Sequence, residues 1–265
     1  VDSGGIAYLR GALPRADALA IADRVWGAYA EHGIKRDDTT TWPHGFQVEF
    51  LRRLRKRGVF KPFDNDTVRA AITEIIGEPR PSRDPWRGPL ISFPTPGPWV
   101  LPKSGWHCDL APRGSPDRPA ELRMFGFVTD VAPQGGGTLV IEGSHELIRR
   151  MVAEAPDHDA GHSTTVKKRL FKDHPWFKAP SLEPTVIDGV TVRVRELTGQ
   201  PGDVVFMLPW TLHNISMNCA DQPRFMVTHT AYSGARSEGV DAEMASAVDK
   251  PWSMTSDSSA AAQLS

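Results

Sequence analysis

The chain has 265 residues, 40% of them hydrophobic, with 31 Lys and Arg against 32 Asp and Glu. A net charge of −1 gives no electrostatic case for nucleic acid or an anionic membrane surface, and no apolar run approaches the ~20 residues that span a bilayer. The two cysteines, Cys108 and Cys219, are too few for a disulfide framework and read as reduced thiols, which makes the cytoplasm the expected compartment.

The N-terminus carries no basic-then-apolar leader pattern, and the length suits one undivided domain over 1–265. Residues 1–80 read as a helical preface. Pro14-Arg15-Ala16-Asp17 leads into Leu19, Ala22, Trp26 and Tyr29, an apolar stripe at helical spacing. A second helix is predicted over 45–57, apolar at Phe46, Phe50, Leu51 and Leu54 and stopped by Gly58. A third starts with Asp66 as N-cap, buries Val68, Ile72 and Ile76, and ends at Gly77. These stripes are core packing that braces a sheet.

After Pro79 the texture changes to short strands punctuated by Pro and Gly. The predicted strands are 90–93, 105–110, 122–131, 138–142, 185–197, 203–208 and 225–232, within a core spanning 90–232. Asp188-Gly189 should split the fifth into a hairpin with a type I′ turn. Short strands between turn signals imply a sandwich or barrel, mainly β with flanking helices. Residues 146–184 interrupt the series with a predicted helix over 146–154, a polar stretch, Lys167-Lys168-Arg169 and Trp176-Phe177. Such a segment is either a lid or a solvated insertion. The tail over 235–265 is rich in Ser and Ala.

The chemistry concentrates in His107-Cys108-Asp109, His213, and Arg224 eleven residues further on. On an extended strand, residues i and i+2 share a face with Cα atoms about 6.5–7 Å apart. His107 and Asp109 would then turn inward together while Cys108 points away. A third ligand, His213, must come from a neighbouring strand. Two imidazoles and one carboxylate hold Fe(II) on one face of an octahedron and leave three positions open. Alternation through the last strand puts Arg224, Met226, Thr228 and Thr230 on one face, and Phe225, Val227, His229 and Ala231 on the other. Arg224 offers a planar, permanently charged fork for a carboxylate. The set implies a metal-dependent oxygenase with a small organic acid as co-substrate.

These stretches resemble the Fe(II)/2-oxoglutarate oxygenases of the phytanoyl-CoA dioxygenase type. The resemblance rests on 105–109, on Gly135-Gly136-Gly137-Thr138-Leu139-Val140-Ile141-Glu142-Gly143-Ser144-His145, and on Gly202-Asp203 through His213-Asn214-Ile215-Ser216 to Arg224. Glu142 stands where the family usually shows proline. The family often places serine two residues past the distal histidine, where this chain has Ile215 with Ser216 next. The resemblance implies a double-stranded β-helix (jelly-roll, cupin-like) core with Fe(II) on His107, Asp109 and His213. It also implies Arg224 on the distal carboxylate of 2-oxoglutarate, a hydroxyl from Thr138 or Ser104 assisting, and Phe125 as the ring beside the co-substrate.

The implied reaction consumes 2-oxoglutarate and O2, releases succinate and CO2, and hydroxylates or otherwise oxidises an unactivated C–H bond of a small-molecule substrate. Asp109 argues against halogenation, for which relatives replace the carboxylate with a small residue. Two other classes compete: a non-catalytic binding jelly roll with a vestigial metal site, and a zinc hydrolase on a cupin-like barrel. His145 reads as a hydrogen-bonded structural residue. His158, His162 and His174 lack zinc-site spacing. Trp99, Trp106, Trp176 and Trp210 read as pocket lining or core.

Overall fold

Period-two alternation after residue 88 becomes two facing antiparallel sheets. The computed structural model of the protein describes residues 4–46, 51–82, 86, 88–108, 119–153 and 163–234. Its strands are β1 (Ile6–Leu9), β2 (Gly45–Phe46), β3 (Gly88–Phe93), β4 (Glu121–Phe127), β5 (Leu139–Glu142), β6 (Thr185–Ile187), β7 (Val190–Glu196), β8 (Val204–Met207), β9 (His213–Asn214) and β10 (Arg224–Tyr232). The helices are α1 (Arg15–Ala30), α2 (Leu51–Lys56), α3 (Asp66–Ile76), α4 (Ser144–Ala153) and α5 (Ser163–Asp173). The larger sheet runs β1-β8-β4-β10-β3-β2, and the smaller β6-β7-β5-β9. This is the jelly roll that the family resemblance implied, within the sandwich-or-barrel class read from the strand pattern. The described residues up to 234 form one unit, and 235–265 lie outside the described residues.

The preface is not purely helical, because β1 pairs with β8 and extends the larger sheet. Asp203 holds its far end: Gly11 N donates to Asp203 Oδ1 at 2.9 Å, and Arg10 pairs with Asp203 Oδ2 at 2.6 Å. Gly202 is a tight approach, since a Cβ there would fall on the Leu13 carbonyl oxygen. The Gly202-Asp203 pair is thus explained by docking of the N-terminal segment.

Helix α1 buries Ala18, Ile21, Ala22, Val25, Trp26, Ala28 and Tyr29, a stripe broader than the one read from Leu19. Trp26 lies 5.3 Å from the Phe225 ring, and Tyr29 meets Phe93 edge-on at 5.2 Å. Each such buried aromatic or aliphatic side chain contributes about 1.5–3 kcal/mol. The helix therefore backs the outer faces of β3 and β10. In α3 the N-cap is Asn65 rather than Asp66, because its side chain accepts from Val68 N at 3.0 Å. The helix predicted over 45–57 is shorter: β2 occupies its start, 47–50 lie outside the described residues, and α2 begins at Leu51.

Alternation in β10 holds as read. Phe225, Val227 and Ala231 pack against the helices, and His229 lies against Trp86 at 5.8 Å. Met226 enters the layer between the sheets with Phe125, Phe127, Val140, Val205 and Met207. Asp188 and Gly189 take φ of 48° and 76°, as the expected turn between β6 and β7 requires.

The segment over 146–184 is more than a solvated insertion. Leu147, Ile148, Leu170 and Phe177 form an outer core with Leu139, Ile141, Val192 and Val194 of the smaller sheet. Residues 154–162, including His158 and His162, lie outside the described residues, and His174 pairs with Asp188 at 3.2 Å.

The glycine run before β5 has a packing cause. Gly136 has φ of 80°, and a Cβ on it would sit 2.8 Å from Asn218 Cβ; a Cβ on Gly137 would fall on the Leu197 carbonyl oxygen. Gly189, by contrast, has open space around it and needs only its positive φ. In urea unfolding, Gly137→Ala is expected to lose about 2–3 kcal/mol and Gly189→Ala about 1 kcal/mol. Equal losses would show that close packing is not what reserves position 137 for glycine.

Candidate active site

Two backbone hydrogen bonds bring the motif histidines together. His107 N donates to the His213 carbonyl at 3.1 Å, and His213 N donates to the His107 carbonyl at 2.8 Å. Directly opposed residues of an antiparallel bridge project their side chains to the same side, and the ring centroids lie 4.4 Å apart. His213 also sits opposite Val140, which belongs to the layer between the sheets, whereas Leu139 and Leu212 pack outward. Both imidazoles therefore face the interior of the jelly roll.

The strand expected over 105–110 is not formed in its described part. Gly105 has φ of 86°, which bends the chain, and His107 makes an isolated bridge instead of a ladder. Asn214 Nδ2 donates to the Ser104 carbonyl at 2.7 Å and staples this bend to β9. Asp109 lies outside the described residues. Cys108 turns away as alternation requires and joins Trp106 in the outer core; burial pushes its thiol up to about 11.

The Gly-Ser-His turn sets the position of His213. Ser144 Oγ donates to the Ile141 carbonyl at 2.6 Å and accepts from Leu212 N at 2.9 Å. Ile141 N in turn donates to the Leu212 carbonyl at 2.8 Å. His145 lies under Gly5, where a Cβ would collide with the imidazole, so its role is to seat β1. Ser144 is a positioning residue that motif reading alone treated as part of a turn.

The tautomer of each imidazole follows from its neighbours. His107 Nδ1 lies 2.8 Å from the Gly105 carbonyl, and His213 Nδ1 lies 3.0 Å from the Thr211 carbonyl. A carbonyl only accepts, so Nδ1 carries the proton and the lone pair resides on Nε2, the arrangement that metal-binding histidines adopt. Burial, followed by the charge of the other imidazole, pushes His213 down to about 3; burial likewise lowers His107. Both rings are neutral near pH 7, as ligation of a cation requires. Among the described residues no cluster of three or more His, Cys, Asp or Glu gathers here. The donor set present fits a borderline metal such as Fe(II), with two coordination positions supplied by these rings.

Arg224 opens β10 on the same inner face and is 2% exposed. Its Nε donates to Ser92 Oγ at 3.2 Å, across the register pair that joins β10 to β3. Burial lowers its pKa to about 10, opposed by the Glu196 carboxylate, so the guanidinium stays charged at neutral pH. Glu196 itself accepts from Gln134 N at 2.5 Å and Gly137 N at 2.9 Å, tying the glycine run to β7 beside this cation. Ser216 is buried and accepts from Trp99 Nε1 at 2.8 Å, while Ile215 is exposed. Phe125 sits on the inner face of β4 opposite Thr228. Thr138 is buried just before β5, and Ser104 is exposed. Ser92, whose hydroxyl accepts from the guanidinium, is a residue that motif reading missed. Its signal was available: Ser92 breaks the apolar run of the third strand at an inward position.

With this geometry in place, comparison with known proteins is decisive for the family. The sequence profile of the phytanoyl-CoA dioxygenase (PhyH) family matches residues 7–226. The chain belongs to the phytanoyl-CoA dioxygenase family. It is accordingly a non-haem iron enzyme that depends on 2-oxoglutarate. No curated protein sequence matches the chain. Among solved structures, AviO1 from Streptomyces viridochromogenes Tue57 superposes with a TM-score of 0.51 at 17% identity, over 89% of this chain and 92% of that one. The alpha-ketoglutarate-dependent carbocyclase SnoK from nogalamycin biosynthesis gives 0.49 at 15% identity, over 91% and 87%. HygX from Streptomyces hygroscopicus, with nickel and 2-oxoglutarate bound, gives 0.47 at 11%, over 89% and 86%. At 17% identity the likeness to AviO1 concerns the fold.

Iron affinity measured by competition with a chromophoric chelator separates the inward from the outward motif positions. His213→Ala is expected to weaken Fe(II) binding by about a hundredfold, and Cys108→Ala to leave it within about twofold. Equal effects would mean that the imidazole does not touch the metal.

Proposed function

We propose that this enzyme oxidises an unactivated C–H bond of a small molecule, with Fe(II) held by His107, Asp109 and His213. In this reading Arg224 receives the distal carboxylate of 2-oxoglutarate. The observation that carries it is the convergence of two neutral imidazoles, 106 residues apart in sequence, on the interior face of the jelly roll beside a buried guanidinium. Bound Fe(II) would supply chelation of the keto acid and activation of O2, with succinate and CO2 as co-products.

The protein's own part is positioning. The carbonyls of Gly105 and Thr211 hold the imidazole protons on Nδ1 and so aim Nε2 inward. Ser92 orients Arg224 for a charge-assisted contact with a carboxylate. Phe125 and Met226 line an apolar wall that keeps bulk water from the reacting carbon and strengthens the ionic contact. Asp109 is assigned by its spacing from His107, and a carboxylate there favours hydroxylation or a related C–H oxidation over halogenation. Cytoplasmic residence is proposed from Cys108 and Cys219, both free cysteines.

Mixing Fe(II) and 2-oxoglutarate without O2 should produce a weak visible charge-transfer band. Arg224→Met is expected to cost about 2 kcal/mol, roughly thirtyfold in the 2-oxoglutarate Kd read from that band. Ser92→Ala should cost about 1 kcal/mol, or roughly fivefold. Asp109→Ala should abolish succinate release on admission of O2. A band and a turnover indifferent to Arg224→Met would remove the co-substrate assignment.

A further inference from the structure

The turn that leads into β5 is built around a carboxylate. Gln134 takes φ of 64°, a left-handed conformation that residues with side chains rarely adopt, and Gly136 follows with φ of 80°. Amides in such a turn converge into an anion-binding concavity. Here Glu196 of β7 fills it: Oε2 accepts from Gln134 N at 2.5 Å and Oε1 from Gly137 N at 2.9 Å. A neutral amide at position 196 would offer one acceptor oxygen where the carboxylate offers two. On its other side the turn is tied to the segment before β10. Cys219 N donates to the Gln134 carbonyl at 2.8 Å, and Gly135 bridges to Asn218.

The far face of the same turn meets Ser92. A Cβ on Gly136 would sit 3.0 Å from Ser92 Oγ and 2.8 Å from Asn218 Cβ, so the turn backbone packs against both side chains. Asn218 Nδ2 donates to the Ser92 carbonyl at 3.2 Å, and Ser92 Oγ accepts from Arg224 Nε at 3.2 Å. Contacts thus run in an unbroken series from the Glu196 carboxylate, through the turn, to the guanidinium. Glu196 stands opposite Leu139, whose side chain packs outward, so it reaches Arg224 through the turn. Ser92 is 2% exposed, and close packing passes a shift of the turn on to it with little slack.

We propose that Glu196 is a positioning residue for the co-substrate: by gripping the turn it sets Ser92, and with it the direction in which Arg224 presents its guanidinium. This role rests on the reading that Arg224 receives the distal carboxylate of 2-oxoglutarate. Position 196 then governs the preference for keto acids with a second carboxylate and leaves chelation by the keto-acid head untouched. The test compares 2-oxoglutarate with 2-oxobutanoate, which has the same head and no distal carboxylate. Each is titrated without O2 into the Fe(II)-loaded enzyme and read from the charge-transfer band. In Glu196→Gln the 2-oxoglutarate Kd is expected to rise about fivefold, with the 2-oxobutanoate Kd and the Fe(II) affinity unchanged within about twofold. Glu196→Asp keeps the charge but is one carbon too short to grip both amides. The same selective rise is expected there, and that variant decides the matter if Glu196→Gln does not fold. In a Ser92→Ala background Glu196→Gln should add less than about twofold, because the path to Arg224 is already cut. Equal rises for both keto acids, or a loss of Fe(II) affinity, would show a merely structural role and overturn the proposal. So would an unchanged 2-oxoglutarate Kd in the variants, or full additivity with Ser92→Ala. A parent enzyme that binds the two keto acids equally would instead remove the Arg224 assignment, and this role with it.

Discussion

A single pair of opposed residues organises this molecule's chemistry. His107 and His213 exchange two backbone hydrogen bonds, and that exchange turns both imidazoles to one side at 4.4 Å between rings. Neither residue has a long ladder to hold it: β9 is two residues long, and His107 sits in an isolated bridge. Rigidity comes from the surroundings. Ser144 pins Leu212 to the end of β5, Asn214 pins the Ser104 carbonyl, and the outer core of α4 and α5 closes over Leu212 and Trp106. The metal site proposed for so short a strand would depend on those neighbours, because a misplacement of about 1 Å is enough to cost a large share of activity.

The layers divide the labour. Helices α1 and α3 cover the outer face of the larger sheet and fix β3 and β10, which carry Ser92 and Arg224. Helices α4 and α5 cover the smaller sheet and fix the bridge. Between the sheets the side chains are apolar around Phe125, Phe127 and Met226, and polar groups enter at defined points. The same low-dielectric interior that keeps His213 neutral also makes the Arg224 charge effective against a carboxylate, since ionic contacts strengthen as water is excluded.

Much of this was legible in the residues. Alternation in β10 placed Arg224 with Met226 and against Phe225, and Asp188-Gly189 announced its turn, because strand period and turn chemistry are local properties. The outward direction of Cys108 followed from the same rule. What was hidden is non-local. The isolated bridge of His107 to His213 depends on Asn214, 110 residues beyond Ser104, whose side chain staples the Ser104 carbonyl. Ser92 matters through a partner on a neighbouring strand, Arg224. The N-terminal strand was missed because four residues with a half-buried pattern carry almost no periodic signal. The stretch over 146–184 read as either a lid or a solvated insertion because its charged run hid the Leu147, Ile148 and Leu170 stripe that packs on the smaller sheet.

Iron K-edge X-ray absorption of the Fe(II)-loaded protein addresses the bridge directly, since imidazole rings give a distinct multiple-scattering pattern. Two rings at the metal are expected in the parent protein, at about 2.0–2.2 Å as for imidazole ligands of related ions, and one in His213→Ala. A spectrum without imidazole scattering, or one unchanged in His213→Ala, would contradict the assignment of this histidine pair as the metal's seat.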